Sequence, residues 1–140
     1  MARPDEKVKF HGALILIIKL NTESSSLSED DATELLVNLM RWYLEAQNEG
    51  AAALVSRKLA AALATFLVHF HTVWLYFVQH LTICLAETQA YPLSQASQRE
   101  AFEIALERLG PLQLRSALWV VGNVAEDASK LDLNAQKRYD

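Results

Sequence analysis

At 140 residues, 51% of them hydrophobic, the chain has material for one compact domain or a short repeat array. Its net charge of −4 argues against non-specific nucleic-acid binding, which depends on clustered Lys and Arg. The single cysteine, Cys84, excludes an internal disulfide, and the opening Met-Ala-Arg-Pro-Asp-Glu-Lys lacks the basic start and apolar core of a secretory signal, so a reducing setting in nucleus or cytoplasm is expected.

Four glycines and three prolines in the whole chain act as punctuation between helices. A first helix is expected from about Pro4, with Pro in the opening turn and Asp5 and Glu6 favouring the positive helix end. Its apolar set, from Val8 and Phe10 through Leu14–Ile18 to Leu20, is too broad for a one-sided helix and implies neighbours on two sides. Leu14–Ile18 also fits a buried strand, but no second strand is evident to pair with it. Asn21 to Ser28 is a polar turn, and Ser24-Ser25-Ser26 belongs to it rather than to any catalytic site.

The second helix has the clearest signals. Ser28 supplies the cap and Glu29, Asp30 and Asp31 an acidic first turn. Leu35, Leu36, Leu39, Met40, Tyr43 and Leu44 then recur at helical spacing, opposite a polar face of Glu34, Asn38, Arg41 and Glu45. Asn48-Glu49-Gly50 ends it. The acidic start reads first as a solvated helix end; its functional reading is a dock for a basic partner.

A third helix is expected from about Ala52 to Phe70 and a fourth from about Val73 to Glu87. Together they contain Leu59 to Ala86, about 28 residues without Asp, Glu, Lys or Arg. That length invites a membrane reading, in which residues 59–86 insert as one span. His69, His71 and Thr72 would then lie near the bilayer centre, where polar groups are costly. Two buried soluble helices separated at His69-Phe70-His71-Thr72 fit better, and the membrane-associated protein is the alternative. A fifth amphipathic helix follows from about Gln95 to Leu109. Gly110-Pro111 stops it, and a sixth carries Leu112, Leu114, Leu118, Trp119, Val121 and Val124 before fading between Glu126 and Lys130.

Starts near Asp5, Ala53 and Ser97 put the helices in three pairs about 45 residues apart, within the period of two-helix HEAT-type repeats. The expected fold is therefore all-α, an α-solenoid of about three antiparallel helix pairs over residues 5–50, 51–92 and 95–130, with a polar tail at 131–140. Stacked pairs cover each other's apolar faces.

The strongest metal or catalytic candidate is His69, His71, His80 and Cys84, with His80 and Cys84 four residues apart on one helix face. The plainer account is hydrogen-bonded histidines beside a buried thiol, which burial makes unreactive. Trp42, Tyr43 and Trp119 read as core aromatics rather than a ligand cage. No phosphate loop or carboxylate pair is evident; no enzyme, metal or cofactor is expected.

Val8-Lys9-Phe10-His11-Gly12-Ala13-Leu14, followed by Lys19, resembles the helix near the N-terminus of nuclear transport receptors of the importin-β superfamily. Leu54 to Ala64 resembles the first helix of the following repeat, and Trp74 lies where a Trp commonly opens its partner helix. Ala125 to Leu133 is similar to a motif closing a later repeat, with Asp127 in place of its second Glu. The resemblance runs from about Asp5 to Leu133 and is nearest to the transportin-SR and importin-13-like branch. It implies the N-terminal part of a longer HEAT solenoid that binds the small GTPase Ran in its GTP form, and protein cargo. The contact residues it suggests are Glu34, Asn38, Arg41 and Glu45 on the second helix, with Gln79 on the fourth.

Overall fold

The computed structural model describes residues 4–48, 50 and 53–139, and the side chains of 7–48, 50 and 53–129. Among these residues every regular element is helical: α1 (Pro4–Glu23), α2 (Glu29–Asn48), α3 (Ala53–His69), α4 (Phe77–Glu87), α5 (Arg99–Arg108) and α6 (Pro111–Tyr139). Leu14–Ile18 lies inside α1, so the strand alternative is set aside. Short 3-10 turns at Ser24–Ser26 and Leu93–Gln95 connect α1 to α2 and α4 to α5.

Local chemistry accounts for several boundaries. The Asp31 amide donates to Ser28 Oγ at 3.1 Å, which caps α2 as its sequence predicts. Gly50 follows α2 with φ +66°, a left-handed conformation suited to glycine. At the start of α6 the Gly110 amide donates to Gln113 Oε1 at 3.1 Å, while the Gly110 carbonyl accepts the Leu114 amide at 3.0 Å. Pro111 fills the first helical position, where no amide proton is needed. Glu49, Ala51 and Ala52, on which the expected end of the second helix and start of the third fall, lie outside the described residues. So do the side chains of Asp5 and Glu6 and those from Lys130 onward.

Three boundaries differ from expectation. The fourth helix begins at Phe77, four residues late, because Val73 and Trp74 donate their amides to the Phe70 carbonyl in a turn at 3.0 and 3.1 Å. The fifth begins at Arg99, since Leu93–Gln95 winds into a separate 3-10 turn after Pro92. The sixth does not fade near residue 130: its backbone continues to Tyr139, through most of the expected polar tail. A polar segment stays helical where its residues have adequate helix propensity, without needing an apolar face.

The long charge-free run is therefore two helices of 17 and 11 residues, split by the turn at 70–76. Among the described residues no helix is long and apolar enough to cross a membrane. Instead α3 is the centre of the core. Val55, Leu59, Ala60, Leu63, Phe66 and Leu67 are buried on different sides of it. Helix α1 packs on one flank, α6 on the other, and α2 against a third side. Alanines 60, 62 and 64 are fully buried, and their small side chains let neighbouring backbones come close. Each fully buried large apolar side chain stabilises the fold by about 1.5–3 kcal/mol, which makes this helix the thermodynamic centre.

Helices α1 and α3 run parallel. His69 near the end of α3 reaches Asn21 near the end of α1, a sequence separation of 48, and Lys58 lies over the Phe10 ring near their starts. This is the relation of equivalent helices in successive repeat units, and the fold is compatible with a small repeat-like solenoid. The third pair sits differently from a regular array. The helix beside α3 is α6, while α5 packs on α4. Helix α1 has the two neighbours its broad apolar set implies, α3 and α2, while Val8, Ile15 and Ile18 on its remaining face stay exposed, Val8 by 72%.

Candidate interaction site

Helices α1 and α2 enclose an open groove of about 420 Å³. Leu16 and Leu20 of α1, with Leu27 and Leu35, form its apolar floor. Asp31, Glu34 and Asn38 line one side, and Lys19 and Glu23 line the other. Antiparallel packing brings these together: the end of α1 lies beside the start of α2, and Lys9 near the start of α1 pairs with Glu45 near the end of α2 at 3.5 Å.

Of the five residues singled out in the sequence, Glu34 and Asn38 share this groove. Arg41 and Glu45 continue the same stripe of α2 and are exposed, with Glu45 engaged by Lys9. Gln79 is apart, on α4, half-buried, with Oε1 enclosed and lacking a hydrogen-bond partner. Lys19 and Glu23 complete the groove and were not singled out. Their signal is present in the spacing Lys9, Leu16, Lys19, Glu23, which marks the stripe of α1 that faces α2.

The histidine and cysteine candidates divide between two places. His69 Nε2 donates to Asn21 Oδ1 at 2.9 Å, and its Nδ1 accepts from the Ser24 hydroxyl at 3.4 Å. His71 is exposed in the turn. His80 lies 2% exposed at the other cluster. The Trp74 indole N–H donates to His80 Nδ1 at 2.9 Å, which makes Nδ1 the unprotonated nitrogen. His80 Nε2 then carries the proton and donates to the Tyr91 carbonyl at 2.7 Å. The Tyr91 amide donates to Cys84 Sγ at 3.3 Å.

This cluster clasps the turn before α4 to the loop after it. Burial holds the His80 imidazole below its usual range, outweighing the opposite pull of the Tyr91 carbonyl. Burial likewise pushes the Cys84 thiol up to about 12, against a smaller downward effect of the Tyr91 amide. A neutral imidazole with both nitrogens engaged and a protonated thiol make a structural clasp rather than a nucleophile pair. Among the described residues no group of three or more His, Cys, Asp or Glu is placed to hold a metal ion.

Buried Tyr43 ties α2 to α6 by donating its hydroxyl to the Ser116 carbonyl at 2.6 Å. Desolvation raises its phenol well above the usual value. Trp42 is half-buried against the core, as is Trp119, over which two arginine side chains lie. No family model, curated protein or solved structure matches the chain.

Proposed function

We propose that the chain is a protein-binding segment of an α-helical repeat scaffold, without enzymatic chemistry of its own. Its finer reading is a nuclear transport receptor segment, acting in nucleus and cytoplasm, that binds Ran in its GTP form together with protein cargo. The observation that supports it is the accessible stripe of α2, in which Glu34 and Asn38 line a groove and Arg41 and Glu45 extend it. The choice of Ran as partner rests on the sequence resemblance to importin-β superfamily receptors. Such a scaffold needs no bond-making step: the nucleotide state of the GTPase alters affinity, and linkage transmits that change to cargo.

Pull-down of the folded chain with Ran loaded with a non-hydrolysable GTP analogue or with GDP tests the reading. Selective capture of the GTP form is expected, weakened at least tenfold by Arg41→Glu combined with Asn38→Ala. Equal capture of both forms, or none by a helical chain, removes the transport reading.

A further inference from the structure

The groove between α3 and α6 has the opposite character from that between α1 and α2. It encloses about 520 Å³, and its wall on α6 includes the half-buried ring of Trp119. The Arg57 guanidinium carbon, from α3, lies 5.3 Å from the Trp119 ring centroid, and that of Arg115, from α6, lies 4.8 Å from it. Lys58, next along α3, lines the groove with its ammonium 5.6 Å from the Phe10 ring. At the rims Leu54 and Leu118 are 66% and 60% exposed.

These cations have no acidic partner among the described residues. Among the described residues no carboxylate lies within 4 Å of Arg57, Lys58 or Arg115, and Glu126 farther along the groove pairs with none of them. Neither arginine makes a hydrogen bond among the described residues. An aromatic ring that attracts a guanidinium restrains it while leaving its N–H donors in place for a planar carboxylate. Restraint before binding also lowers the entropy lost when a ligand arrives. The chain's net charge of −4 makes this a local feature and not a consequence of a basic protein.

We propose that the α3/α6 groove docks an acidic peptide segment of a partner protein. Its carboxylates engage Arg57 in the groove and Arg115, which sits outside the lining on the Trp119 ring, while Lys58 adds attraction and an apolar side chain rests against Leu54 and Leu118. The inference stands on this groove and is independent of the Ran reading, which concerns α2.

Fluorescence anisotropy of the full chain with a short labelled peptide of Glu, Asp and Leu tests it. The same-length Gln, Asn and Leu peptide is the neutral control, and a phosphoserine peptide is the rival anion. The acidic peptide is expected to bind, and Arg57→Ala with Arg115→Ala to weaken it at least tenfold. Arg99→Ala, which removes an exposed charge on α5, is expected to leave binding unchanged. Circular dichroism establishes that each variant is helical. A charge reversal covers the case in which the double alanine variant unfolds: Arg57→Glu is expected to abolish acidic-peptide binding and to capture a Lys and Leu peptide. The proposal is overturned by no binding to the folded wild-type chain, by equal loss in Arg99→Ala, by equal binding of the neutral peptide, or by preference for phosphoserine.

Discussion

The His80 imidazole accepts one hydrogen bond from Trp74 and donates another to Tyr91, which fixes both its tautomer and its charge. Protonation at Nδ1 would replace the acceptor of the Trp74 bond with a donor. An unfolded histidine titrates near 6.5, and burial holds this one lower. Below about pH 6.5 the unfolded chain therefore binds a proton that the folded chain refuses, so acid destabilises the fold. Thermal melts of the wild-type chain are expected to lose stability from pH 6.5 downward more steeply than those of His80→Gln. Replacing His80 by Ala strands the Trp74 N–H and leaves a cavity, at a cost of about 3 kcal/mol in urea unfolding. Cys84, with its thiol pushed up to about 12, is expected to react with Ellman's reagent only as the chain unfolds. Rapid labelling in native buffer contradicts its place in the clasp.

At the scale of elements, the end of α4 carries a conformational cost. Thr88 adopts φ 55° and ψ 32°, a left-handed geometry that a β-branched residue resists. Thr88→Gly is expected to stabilise the chain by about 0.5–1 kcal/mol, read as a shift in urea midpoint. Signals that act over three or four residues were legible in the sequence: the Ser28 cap, Gly50, and the Gly110-Pro111 start. The late beginning of α4 was not, because the turn at 70–76 depends on Trp74 meeting His80 and on Tyr91 beyond the far end of the helix. Apolar periodicity marks Val73 and Trp74 as buried but does not say whether the backbone beneath them is helical. The polar stripe of α2 was legible for a similar local reason. Its partners Lys19 and Glu23 required knowledge of how α1 lies against α2.

For the molecule as a whole, burial concentrates on α3 while the edges of its layer stay apolar and open. Val8, Ile15 and Ile18 on α1, and Leu114, Leu118 and Val121 on α6, are exposed. Ile18→Lys is expected to change stability by no more than about 0.5 kcal/mol, whereas Leu63→Ala in α3 costs about 2–5 kcal/mol. The three-pair pattern anticipated the all-helical repeat-like fold, and the 45-residue period agrees with the parallel pairing of α1 and α3. That α6 takes the place beside α3 was beyond reach, because both α5 and α6 have apolar faces and only tertiary packing chooses between them. The charge-free run from Leu59 to Ala86 forms two helices around a turn, with α3 as the core against which the helices of both grooves pack. Native-state amide hydrogen exchange resolved by residue tests this arrangement most directly. Exchange is expected to be slowest within Leu59–Leu67, with protection in Leu81–Leu85 and fast exchange at His71 and Thr72 between them. Continuous uniform protection from Leu59 to Ala86, or exchange in α3 faster than in α1 and α6, contradicts it.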